Sequence, residues 1–325
     1  MRRHREDIMK KNIRHFLILS ALAAGTMHAV NRFVDATAEM KNILKSVDGS
    51  FYNWKNGRIF YSRRGEGTPI LLIHDLDPVS SSYEWCRIVK KLEKKHTVYT
   101  IDLLGCGRSE KPFLTYTNYM YVQLITDFIH DIIGECPDVV TTNRSVSFAI
   151  LAQNMDPTLI RQIIAINPPS ADSFGHAPDQ YRVLKKVLLE IPVIGTFIYN
   201  IMTYEKNISR KLRNTYFSKP QLVSSKMLDA YYEAAHMDES RGRYLMASIE
   251  GHCTDNPIVH AVKNLTIPFC IIQSRNPESS VPTQDSYLRL YPKTEISCIS
   301  CAGLVPQLEV PDKLLNILTM LLGKN

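Results

Sequence analysis

A chain of 325 residues that is 45% hydrophobic and 22% charged can bury a full core, and this composition excludes a disordered chain. Its formal charge of +7 is carried in part by Arg2, Arg3, Arg5, Lys10, Lys11 and Arg14, ahead of the first apolar run. That placement points to a solvated face or a membrane surface, and it says little for nucleic acid.

The basic stretch runs into Phe16–Val30, a run of 15 residues without a formal charge. A spanning helix needs about 20 apolar residues, so the run reaches that length only if it continues to Val34 with Arg32 snorkelling. We read an uncleaved N-terminal anchor, with the positive flank inside and the body on the outer face. Ala36-Thr37-Ala38 is poorly spaced for a cleavage site. The alternative is an amphipathic helix that packs on the domain or lies on the cytoplasmic face of a membrane. With the polar stretch up to Lys45, residues 1–45 form one unit.

The folded part, from residue 46, opens on a hairpin: Phe51–Trp54, a turn at Asn56-Gly57, then Arg58–Ser62. Strand Ile70–His74, helix Glu84–Lys95, strand His96–Ile101 and helix Tyr116–Ile133 closed by Gly134 follow. Then come strand Asp138–Thr142, helix Val146–Met155 and strand Gln162–Asn167, stopped by Pro168-Pro169. This alternation predicts a mostly parallel α/β sheet covered on both faces. Between residues 170 and 257 it stops, giving way to helices at Tyr181–Leu189, Ile194–Met202, Ser209–Tyr216, Met227–Met237 and Arg241–Ile249. Such an insertion reads as a helical cap over the carboxyl ends of the strands, where open α/β sheets bind ligands. Residues 258–325 return to the sheet with strands Pro268–Gln273 and Glu295–Ile299 and a closing helix Val310–Leu322.

The cysteines, at positions 86, 106, 136, 253, 270, 298 and 301, are odd in number, and Cys298-Ile299-Ser300-Cys301 has no second C-x-x-C partner. Buried thiols are expected. There is no phosphate-binding glycine loop, no H-E-x-x-H metal pair and no nucleic-acid motif, so neither cofactor nor metal is expected.

Two segments carry a family likeness. Gly67–His74 followed by Val98–Pro112, which contains Asp102-Leu-Leu-Gly105-Cys-Gly107-Arg-Ser109, and the tail Pro306–Pro311 together resemble the α/β-hydrolase superfamily, from about Phe51 to the C-terminus. The resemblance implies esterase, lipase or epoxide-hydrolase chemistry on an apolar or ester-like small molecule. That chemistry needs a nucleophile on a strained strand-to-helix turn, an oxyanion hole of backbone N–H groups, a histidine base and an orienting carboxylate.

Each of these positions departs from type. At the elbow two registers stay open. Either Ser145 is the nucleophile within Asn143-Arg144-Ser145-Val146-Ser147, or Asn143 occupies that position and no hydroxyl does. The oxyanion donors implied are the N–H groups of Leu76 and Val146, although Asp75 and Asp77 place carboxylates beside them. The stretch Gln273–Pro282 after strand Pro268–Gln273 has no aspartate at the position the resemblance points to, which leaves Asn276, Glu278 or, one strand earlier, Asp172 as the acid. The histidine position is Leu304, its register fixed by Pro306, Leu308, Glu309 and Pro311; His252 and His260 are the remaining imidazoles near the last strands. Two functions follow as expectations: a membrane-anchored hydrolase with an atypical base, or a catalytically inactive hydrolase-fold protein that binds an apolar ligand or a protein partner.

Overall fold

The computed structural model describes residues 2–38, 40–46, 48–177, 179–275 and 283–323. Its strands are β1 (Ser50–Trp54), β2 (Gly57–Arg64), β3 (Thr68–Ile73), β4 (His96–Ile101), β5 (Asp138–Thr142), β6 (Gln162–Ile166), β7 (Phe269–Arg275) and β8 (Glu295–Ser300). They form one sheet in the order β1-β2-β4-β3-β5-β6-β7-β8, antiparallel only where β2 pairs with β1 and β4. In the centre of this sheet, apolar runs serve both faces. Leu71, Ile73, Val139, Ile163, Ala165 and Ile271 pack into one core cluster, while Ile70, Leu72, Val140, Ile164, Ile166 and Ile272 pack into the other. This is the two-residue period of a strand buried on both sides, each fully buried aliphatic side chain contributing about 1.5–3 kcal/mol.

The helices are α1 (Arg2–Ala38), α2 (Val89–Leu92), α3 (Asn118–Phe128), α4 (Val146–Met155), α5 (Gln180–Glu190), α6 (Ile194–Met202), α7 (Glu205–Lys211), α8 (Ser225–Ser240), α9 (Gly242–Glu250), α10 (Val259–Lys263), α11 (Thr283–Leu290), α12 (Pro306–Glu309) and α13 (Pro311–Leu322). Helices α5 to α9 are the insertion between β6 and β7. Helix α1 is long and apolar enough to cross a membrane over Lys11–Ala38, with a mean hydropathy of 1.3 and none of its 18-residue apolar window buried, although Asn31 and Ala38 towards its far end are buried. Ile13, Phe16, Leu17, Leu19 and Leu22 lie exposed on it. Its far end meets the insertion. Asn31 Nδ2 donates to Val193 O at 3.1 Å, Asn31 Oδ1 accepts from Asn200 Nδ2 at 3.0 Å, and Ser240 Oγ donates to Asp35 at 2.7 Å.

Several expectations shift. The hairpin turn is Lys55-Asn56, since Gly57 already pairs with Trp54. The helix expected over Glu84–Lys95 breaks into a 3-10 turn Ser82–Trp85 and the short α2. Tertiary bonds override helical periodicity there: Asp102 takes the Ser82 N–H at 2.7 Å, and the Ser81 hydroxyl caps Tyr83. Of the cysteines only Cys106 and Cys270 are buried; Cys86, Cys136, Cys298 and Cys301 are exposed.

Candidate active site

The loop entering the site is braced from below. Asp102, at the end of β4, accepts from Arg108 Nε at 2.8 Å and from the Arg108 and Ser82 backbone N–H groups. Burial would raise its pKa, but the Arg108 guanidinium wins and holds the carboxyl well below the usual range. Gly107, at φ +49°, is required because a Cβ would stand 2.5 Å from that carboxylate. Above it, the His74 ring spends both nitrogens on backbone. Nε2 accepts from Leu103 N at 3.0 Å, and Nδ1 donates to Asp75 O at 2.7 Å. Burial lowers its pKa and keeps it neutral, so this ring has no nitrogen left to act as a base.

Strands β3 and β5 are neighbours, Ile73 opposite Thr141, so the loops leaving them meet above the sheet. The chain turns from β5 into α4 through Asn143–Ser145, and Asn143 takes φ +51°, a left-handed conformation that asparagine tolerates. Asn143 is thus the residue on the strained turn. Its Nδ2 donates to Asp75 Oδ2 at 3.1 Å. The other oxygen, Asp75 Oδ1, accepts from the backbone N–H of Leu76 at 2.9 Å and of Arg144 at 3.2 Å. Burial, then the nearby Asp77 carboxylate, push the Asp75 pKa up to about 6. Asp77 itself is paired with Lys211 of α7.

Ser145 is fully enclosed and its Oγ donates to the His74 carbonyl at 2.5 Å. The N–H of Val146 turns back to Arg144 O, so the amide that converges with Leu76 belongs to Arg144, in place of the expected Val146. Leu304 packs beside Val79, Tyr216, Tyr231 and Leu308 in a cluster shared by the insertion and the tail. The tail is tied in closely. Val305 N donates to Tyr216 O at 3.3 Å, and Glu309 accepts from Gly303, Ser218 and Lys219 backbone N–H groups at 2.6, 3.2 and 2.8 Å. Asn167 at the end of β6, a residue sequence reasoning passed over, donates to Gly303 O and Leu304 O at 3.2 and 3.1 Å. Buried Glu84 accepts from Tyr231 of α8 at 3.1 Å and Gln307 at 3.2 Å, and burial pushes its pKa up to about 8.

Among the described residues, none of the remaining candidates hydrogen-bonds to the side chain of Asn143 or Ser145. Asp172 is 65% exposed at its side chain, with Arg289 3.8 Å away. His260 is exposed on α10, and His252 contacts Asp255 at 3.0 Å. Asn276 and Glu278 lie outside the described residues. A cavity of about 210 Å³ lies under the insertion, walled by Val79, Met202, Ile208, Met246 and Ile249, with Asp77 and Lys211 on its lining.

No family model matches the chain. A proline iminopeptidase from Heyndrickxia coagulans is 21% identical over 285 residues, 82% of this chain and 96% of that protein. A 2-hydroxy-6-oxo-6-(2'-aminophenyl)hexa-2,4-dienoic acid hydrolase from Metapseudomonas resinovorans is 31% identical over 70 residues, 21% of this chain and 24% of that protein. Among solved structures, a serine hydrolase of carbazole degradation (CarC) superposes with a TM-score of 0.70 at 16% identity, covering 86% of this chain and 99% of its own. A membrane phospholipase A superposes with a TM-score of 0.68 at 16% identity, covering 97% and 98%. The chain has the α/β-hydrolase fold. In an α/β-hydrolase the side chain on the strand-to-helix turn is the nucleophile, and the following N–H and one from the loop after β3 form the oxyanion hole. On this α/β-hydrolase sheet the turn carries a carboxamide, Asn143, and the two N–H groups share one carboxylate oxygen.

Proposed function

We propose that this protein is a catalytically silent α/β-hydrolase-fold binding protein, held at a membrane by α1, whose sheet and cap enclose an apolar small molecule. The observation that carries the reading is the Asp75 carboxylate. The Leu76 and Arg144 amides that would stabilise a tetrahedral oxyanion already hold an anion. With a pKa of about 6 it is mostly ionised at neutral pH and repels a second negative charge. Losing one oxyanion donor costs about 10²–10³ in rate, and losing triad members about 10⁴–10⁶. Asn143 offers no nucleophile and Leu304 no base.

The membrane half of the reading rests on the exposed apolar side chains of α1 and on the reach of the likeness to the membrane phospholipase A. Because 97% of this chain is covered, that superposition takes in most of the N-terminal helix, whereas CarC covers 86%. The basic flank then stays on the inner side and the body lies on the outer face.

Purified full-length protein in detergent, offered short and medium-chain p-nitrophenyl esters, is expected to give the buffer rate. The competing reading makes Ser145 an active nucleophile. Hydrolysis above buffer that disappears in Ser145→Ala overturns ours.

A further inference from the structure

Outside the crevice, one cluster has the chemistry of a metal site. His176 lies on the segment that leaves the sheet for the insertion, and His252 and Asp255 lie on the segment that returns from it. His252 Nδ1 stands 3.0 Å and His176 Nδ1 3.5 Å from the same oxygen, Asp255 Oδ2, and the three ligand atoms all lie within 4.8 Å of one another. A tetrahedral ion with bonds of 2.0–2.1 Å requires its ligand atoms about 3.3 Å apart, which those two separations bracket. The other oxygen, Asp255 Oδ1, is taken by the Arg144 guanidinium. That leaves Oδ2 for the histidines and fixes the plane of the carboxylate, as an outer partner orients a ligating group. The Asp255 side chain is only 4% exposed, the two imidazoles stack at 5.3 Å, and His252 is held at φ +56°. The His176 side chain is 59% exposed, so water can reach the cluster.

We propose that His176, His252 and Asp255 bind one divalent ion of the zinc type, with water completing the coordination. Two imidazole nitrogens and one carboxylate oxygen form a borderline donor set that suits zinc better than calcium or magnesium. The ion would bridge the two crossings between sheet and insertion. It would also act through Asp255 on Arg144, whose backbone N–H is one of the donors to Asp75 and whose guanidinium lies over Phe174 at 5.0 Å. Its role is structural: it pins the insertion over the crevice.

The test uses the full-length protein in detergent, stripped with a chelator and titrated with Zn²⁺ at pH 7.5 against a chromogenic competitor. One equivalent is expected to bind, and Tm is expected to rise at saturating Zn²⁺. His176→Ala, at a largely exposed side chain, keeps the fold and weakens binding by more than about tenfold, the scale at which even outer-shell partners matter. His252→Ala is expected to do the same. No saturable binding in the wild type overturns the proposal. So does binding that His176→Ala leaves unchanged, which would assign the ion to exposed thiols such as Cys298 and Cys301.

Discussion

Asp75 is a single carboxylate with three N–H donors and an acidic neighbour, and its pKa of about 6 predicts a pH effect with a definite sign. The unfolded carboxyl titrates near about 3.9. Between that pH and about 6 the folded chain keeps a proton that the unfolded chain has released, so stability falls as pH rises through this window and levels off above it. The fall is at most about 3 kcal/mol. Glu84, at about 8, contributes with the same sign between about 4.5 and 8, so the comparison must be made against a variant. In Asp75→Asn the side-chain oxygen still accepts from the Leu76 and Arg144 amides, and Asn143 can reverse its carboxamide to match. Urea midpoints at pH 4.5 and 7 should therefore differ less in Asp75→Asn than in the wild type; equal differences would contradict a buried, titrating Asp75. None of this was legible in the sequence beyond the presence of two carboxylates beside the hole. Which amides a carboxylate meets depends on one backbone torsion at Asn143, and the elbow register stayed open because Asn143 and Ser145, two residues apart, both suit a tight turn.

At the scale of elements, the tail that follows β8 and the insertion are packed backbone against backbone. A Cβ on Gly303 would stand 2.2 Å from Tyr216 O and 2.8 Å from Ser218 N, neither of which can swing away. Gly303→Ala is expected to destabilise the protein by about 1–3 kcal/mol by prising the Tyr216–Lys219 segment off Glu309. An unchanged denaturation midpoint would show that the insertion is not seated there. Elements were the most readable level of the sequence. β4, β5, α4 and α6 fall where the apolar pattern puts them, because strands buried on both faces and helices with an apolar stripe announce themselves locally. The broken helix after Ser81 did not, since Asp102, distant in sequence, decides where it starts. The grouping of His176 with Asp255 likewise comes from two segments that only the folded insertion brings together.

At the scale of the whole molecule, an apolar helix is proposed to hold at a membrane a body that binds without turnover. Deleting residues 2–30 keeps Asn31 and its bonds to the insertion. The truncated protein should leave the membrane fraction in flotation, and retention would place the attachment elsewhere. The division was readable from the N-terminal pattern of basic flank and apolar run. The proposed loss of catalysis was suggested in the sequence by the departures at the elbow, the loop after β3, the acid and Leu304; the bonds of Asn143 and Asp75 add to that reading. The most direct test is exposure of the folded full-length protein to a fluorophosphonate probe, read by in-gel fluorescence and by intact mass. No adduct is expected, at any serine, under conditions that label an active serine hydrolase completely. A stoichiometric adduct that maps to Ser145 would contradict the account.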